Sequence, residues 1–201
     1  MNSLPRKLQR WSQKKMNEDT KVFGFWIYLM TDLVIFAVLF ATYAVLSAST
    51  FGGPTPQKLF HVPSALAETV ILLTSSFTCS LATLAVHRKQ KNWVIFWFLL
   101  TFALGVAFLV LEISEFSTFI HQGAGPQRSA FLSSFFALVG THGLHISVGL
   151  LWMIVAILHI WFRGLSAHII SIILRLALFW HFLDVVWIFI FTSVYGMGHL
   201  S

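Results

Sequence analysis

The sequence predicts an all-α integral membrane bundle of five transmembrane helices, with the amino terminus cytoplasmic and the carboxyl terminus periplasmic. Three observations carry that expectation. Of 201 residues, 57% are apolar and only 10% charged, a balance that soluble domains of this length do not reach. Five apolar runs are long enough to cross a hydrocarbon core about 30 Å thick, which takes roughly 20 helical residues. The basic residues gather on alternate connections between those runs.

The spans are predicted at Phe25–Leu46, Ala65–Val86, Trp93 to about Glu115, Phe131 to about Leu158, and Ile172–Tyr195. Their apolar character is continuous, without the alternation of a membrane barrel, so strands are excluded as spanning elements. Turn residues or charge mark each break: Gly52, Gly53, Pro54 and Pro56, then Arg88 to Asn92, then Gly123 to Arg128, then Arg163 with Gly164. No internal repeat is apparent, and five spans do not divide into two equal halves, which weakens a carrier built from inverted repeats.

Orientation follows from charge. With the amino terminus inside, the first segment, the second connection and the fourth contribute six, three and two Lys or Arg, the last pair being Arg163 and Arg175. The opposite side receives only Lys58 and Arg128. That asymmetry is the positive-inside signature. The net charge of +6 is therefore read as topology, and no base-reading pattern points to nucleic acid. Residues 1–23 form a basic cytoplasmic tail and residues 24–201 the membrane domain. The tail shows no secretory leader pattern; it either lies as a short helix on an anionic surface or stays partly disordered.

Of seven acidic residues, five fall within or at the edge of spans: Asp32, Glu68, Glu112, Glu115 and Asp184. A carboxylate facing lipid at mid-membrane costs about 2.5–3.5 kcal/mol even on the lenient scale, so these side chains should face protein or water. At about 1.5 Å per residue, Asp32 and Asp184 are deep. Glu68, Glu112 and Glu115 fall toward the outer ends of the second and third helices and are expected to share one polar patch. On the fourth helix, His142 and His145 are three apart, with Gly140 and Gly143 removing bulk beside them so that another helix can approach. On the fifth, His181 and Asp184 repeat that spacing, so the carboxylate can hold an imidazole nitrogen. The two polar pairs are expected to meet across the joint of helices four and five.

Intramembrane histidines invite a haem, but the helix of His142 lacks a second, widely spaced histidine, His181 has a carboxylate partner on its own helix, and large aromatics surround it. No metal site is expected in this chain, since a copper centre needs three or more converging imidazoles. Protease and phosphate-loop motifs are missing. The lone Cys79, inside an apolar run, reads as a small core filler. Trp11, Trp26, Trp93, Trp152 and Trp161 fall near the inner ends of spans, where an indole suits the headgroup level. Arg88, Lys89, Arg163 and Arg175 suit lipid phosphates on the inner side. No catalytic residues are expected, and the chain reads as a partner within a larger membrane assembly.

Six segments carry a family resemblance: GFWIYLMTD at Gly24–Asp32, LFATYAVL at Leu39–Leu46, AETVILLTSSFTC at Ala67–Cys79, GVAFLVLEISEF at Gly105–Phe116, SSFFALVGTHGLHISVG at Ser133–Gly149, and FWHFLDVVWIFIFTSVY at Phe179–Tyr195. In this order they resemble subunit III of the haem-copper terminal oxidases, in the five-span form of the cytochrome bo-type ubiquinol oxidases. The resemblance implies a bundle with a V-shaped, lipid-filled cleft packed against a large catalytic subunit I, which carries the haems and copper, with subunits II and IV completing a complex of the bacterial inner membrane. That complex oxidises quinol, reduces dioxygen to water and moves protons outward, while this subunit stabilises its partner and holds phospholipids. A menaquinol or cytochrome c oxidase, or an independent membrane carrier, are the alternatives. By the same resemblance, Asp32 stands where cytochrome c-oxidising relatives carry a glutamate near bound lipid and the path of oxygen, Glu68 where they often have asparagine, and Glu112 where they often have glutamine. Glu115, His142, His145, His181 and Asp184 match family positions.

Overall fold

The computed structural model describes residues 6–47, 49–50 and 62–196, with side chains described from Thr20 onward except that of Val62. The side chains of Arg6, Lys7, Arg10, Trp11, Lys14 and Lys15, and the predicted break at Gly52, Gly53, Pro54, Pro56 and Lys58, lie outside the described residues.

Among the described residues five helices follow one another: α1 Arg6–Leu46, α2 Val62–His87, α3 Lys91–His121, α4 Ala130–Arg163 and α5 Ala167–Ile190, the last continued by a π-helical turn at Phe191–Gly196. All five contain stretches long and apolar enough to cross a membrane, at Thr20–Leu46, Pro63–His87, Lys91–His121, Ala130–Arg163 and Ala167–Gly196. The predicted spans are borne out: α2, α3 and α4 overrun both predicted limits, α1 ends at the predicted Leu46, and the last span reaches Tyr195 only through its π-helical turn. Polar caps set the starts of α4 and α5, whereas α3 begins after Gln90 without a side-chain cap. Ser129 precedes α4 and its hydroxyl accepts from the Leu132 amide at 3.2 Å; Ser166 does the same for Ile169 ahead of α5 at 3.4 Å. Gly164 ends α4 at φ +70° and Gly123 follows α3 at φ +74°, conformations that cost a glycine little.

The chain divides into two compact units, residues 1–35 and 36–201. The first is the amino-terminal part of α1. Its helix carries Asp32 one turn beyond Tyr28, and the two side chains share a hydrogen bond.

In the second unit α2 packs against α3 and α5, and α4 packs against the same two helices, so the four close into a ring. The carboxyl-terminal part of α1 joins it through Phe40 on Phe189 and Tyr43 on Phe131, with ring centroids 6.4 and 6.1 Å apart. Trp180 of α5 occupies the middle of the ring. A β-carbon on Gly105 of α3 would fall 2.8 Å from its indole, and one on Gly149 of α4 would fall 3.1 Å from it. Its Nε1 donates to Ser75 of α2 at 3.0 Å, so one side chain touches three neighbouring helices. Trp187, two turns on, donates to Thr69 of α2 at 3.1 Å. Thr78 and Thr101 add a buried hydroxyl pair at 2.8 Å between α2 and α3. Cys79 is a buried free thiol, as a core filler should be. The outward faces are apolar: Val110, Leu151 and Phe162 are 59–80% exposed, as expected where lipid or another membrane chain is the solvent.

Candidate functional site

Polar groups within the ring fall into three sets. The first joins α2, α3 and the π-helical turn. Glu68 and Glu112 are buried and Glu115 half-buried, and the three lie close enough to interact. The Tyr195 hydroxyl donates to Glu115 Oε2 at 3.1 Å. The expected carboxyl patch is therefore formed. A cavity of about 230 Å³ lined by Ser64, Glu68, Ser114, Glu115 and Thr118 opens beside it. Tyr195 was not among the sequence candidates, because only the widened turn of the last span aims it at Glu115.

Glu112 reaches across to α4. Its carboxyl lies over Gly143, where a β-carbon would meet Oε1 at 2.6 Å, and the Phe116 ring lies 3.7 Å from the corresponding position on Gly140. The glycines do admit a close neighbour, but that neighbour is α3.

The second set surrounds His142, which is wholly buried. Phe36, Phe108 and Trp187 enclose its imidazole, with centroids 6.3, 5.9 and 5.3 Å away. Neither ring nitrogen has a hydrogen-bond partner among the described residues. His145 turns aside, donating from Nδ1 to the Thr141 carbonyl of its own helix at 2.7 Å and packing on Phe36 at 5.2 Å.

The third set lies between α5 and α2. His181 Nδ1 shares a 2.7 Å hydrogen bond with Ser76 Oγ, and Nε2 stands 3.4 Å from Ser80 Oγ. Asp184 Oδ2 is 3.7 Å from Nδ1, an ion-pair distance when the imidazole is protonated. The expected meeting of the His142 and His181 pairs across α4 and α5 is not formed: Trp187 faces His142, while His181 points to the serines of α2. The two imidazoles thus engage different neighbours, an arrangement that does not fit a haem held between them. Among the described residues, no group of three or more His, Cys, Asp or Glu is arranged to hold a metal ion. Ser76 and Ser80 were missed in the sequence because helix-borne serines commonly bond their own backbone, as Ser80 also does to the Ser76 carbonyl at 3.0 Å.

Basic residues collect at the opposite end from Glu115. Lys91 Nζ donates to the Trp161 carbonyl at 3.0 Å, joining the start of α3 to the end of α4. Arg88 borders a groove of about 360 Å³ with Leu81, Leu84, Ala85, Gln90, Trp93 and Trp97. Arg163 borders another of about 350 Å³ with Val155, Leu158, His159 and Phe162. Lys89 is exposed at a left-handed turn, φ 55°, and Arg175 Nε donates to the Ser171 carbonyl on its own helix at 3.1 Å.

Comparison with known proteins places these features in context. The family profile for cytochrome c oxidase subunit III matches residues 12–199. The chain is similar to a cytochrome bo(3) ubiquinol oxidase subunit 3 of Pseudomonas aeruginosa, 58% identical over 89% of this chain and 86% of the relative. It is also similar to the protein of that name from Pseudomonas putida, 50% identical over 89% and 86%. A quinol oxidase subunit 3 of Bacillus subtilis is 45% identical over 88% of this chain and 87% of the relative.

Proposed function

Because the chain belongs to the cytochrome c oxidase subunit III family, we propose that it is the third subunit of a proton-translocating cytochrome bo-type ubiquinol oxidase that reduces dioxygen to water. The observation that carries this reading is the 58% identity, across most of both chains, to a relative named for ubiquinol oxidation. The chain is non-catalytic within that enzyme. Haems and copper belong to the catalytic subunit I, and subunits II and IV complete the assembly in a bacterial inner membrane.

The helices run with the amino terminus cytoplasmic and the carboxyl terminus periplasmic, and residues 1–23 form the basic tail ahead of the 24–201 membrane domain. Support comes from the clustering of Arg88, Lys89, Lys91 and Arg163 toward one end and of Glu68, Glu112 and Glu115 toward the other. Arg88, Lys89, Arg163 and Arg175 take phospholipid phosphates, and the two grooves beside Arg88 and Arg163 have the mixed character, cationic above and apolar below, that a lipid needs. Asp32, Glu68, Glu112, Glu115, His142, His145, His181 and Asp184 serve packing, lipid retention or proton traffic, and the chain steadies subunit I by covering polar surface that lipid cannot satisfy.

Mild detergent purification through a tag on this chain tests the reading. Co-purifying polypeptides should include a haem-bearing membrane subunit, with a b-type signal in the reduced-minus-oxidised spectrum and ubiquinol-dependent oxygen uptake. A haem-free preparation, or one that oxidises only cytochrome c, overturns it. For Asp32, an Asp32→Asn variant should keep the haem content while shortening the turnover lifetime; activity that decays no faster than in the parent removes that role.

A further inference from the structure

The seam between α2 and α5 carries a polar strip at the depth where hydrocarbon is thickest. Ser76 and Ser80 lie near the middle of Pro63–His87, and His181 lies at the middle of Ala167–Gly196. Yet the His181 side chain is 37% exposed, and Ser80 is exposed beside it. Nδ1 is engaged by Ser76, whereas the contact of Nε2 with Ser80 is long.

We propose that this strip docks a transmembrane helix of another chain, one bearing a hydrogen-bonding side chain at mid-bilayer depth. The proposal rests on the subunit reading only for the presence of partner chains. Three features argue for that occupant. An acyl chain has neither donor nor acceptor for an exposed imidazole nitrogen, and phosphate headgroups lie about 15 Å away from the midplane of a core about 30 Å thick. Ser76 and Ser80 both lie against the imidazole, so two hydroxyls and the ring form one polar patch that lipid cannot satisfy. The rims are bulky and apolar, Phe77 of α2 at 64% and Val185 of α5 at 52% exposed, which gives an incoming helix surfaces to pack on beside its polar contact.

Photo-crosslinking in native membranes tests this with the whole assembly. With p-benzoylphenylalanine at Phe77 and at Val185, irradiation should join this 22.8 kDa chain to a different polypeptide from both positions, identified by mass spectrometry. Adducts with lipid alone, with a second copy of this chain alone, or none at all overturn the proposal. Such a result beside an intact, haem-bearing purified complex removes this surface and leaves the subunit reading standing. Independently, His181→Leu should lower retention of the partner chain in detergent by roughly three- to eighteen-fold, the range for one interhelical hydrogen bond in a membrane, while His181→Gln keeps most of it. Parent-level retention in His181→Leu also overturns the assignment.

Discussion

His142 and His181 stand at comparable depth on adjacent helices, and their surroundings are opposite. His142 is sealed by Phe36, Phe108 and Trp187, and no hydrogen bond reaches its ring among the described residues. His181 sits on the outer seam, bonded to Ser76 and partly exposed. The contrast separates two ways of keeping an imidazole in a membrane. One buries it against aromatic faces at the cost of unmet polar atoms. The other leaves a polar edge on the surface for something outside the bundle to complete.

Four substitutions sharpen that contrast. The largest effect should come from Trp187→Ala, which removes one wall of the His142 cage and the bond to Thr69. A loss of about 3–5 kcal/mol is expected for a buried aromatic, read from thermal or denaturant unfolding of the purified complex. Gly143→Ala should cost about 1–3 kcal/mol by overpacking, since the new methyl meets the Glu112 carboxyl, and Glu112→Ala in the same chain should recover much of that loss. Ser76→Ala should cost about 0.6 kcal/mol, up to about 1.7, for one interhelical bond. The smallest change is expected from His142→Leu. An apolar side chain of similar bulk removes two polar atoms that lack partners, so stability should hold within about 0.5 kcal/mol or rise. A loss as large as that of Trp187→Ala would mean that the sealed imidazole makes a hydrogen bond after all, and the contrast would fail.

How much of this was legible in advance depends on which property the residues express. The spans were, because continuous apolarity is a property of each segment alone. The carboxyl patch was too, since Glu68, Glu112 and Glu115 lie at one end of neighbouring spans and cannot remain in lipid. The partners of the histidines were not. The i,i+3 spacing puts Asp184 beside His181 on one helix, but whether that face meets α4 or α2 depends on how the four helices close their ring, which apolar runs do not encode. Gly140 and Gly143 signalled a close approach without saying that α3 makes it, and Gly105 and Gly149 passed unremarked because what fills the space beside them, chiefly the Trp180 indole, is set by how the helices close and not by local sequence.

That indole bears on biosynthesis. Trp180 belongs to the last of the five spans, yet it fills the gap framed by Gly105 and Gly149 on two earlier ones and bonds to Ser75 on a third. Leu150 of α4 also reaches the Gly105 face, but until the last span is made the earlier helices lack the indole that bridges all three. Completion of the bundle is thereby tied to completion of the polypeptide, and a nascent chain stalled before its final span should remain loose and open to the cell's quality-control proteases.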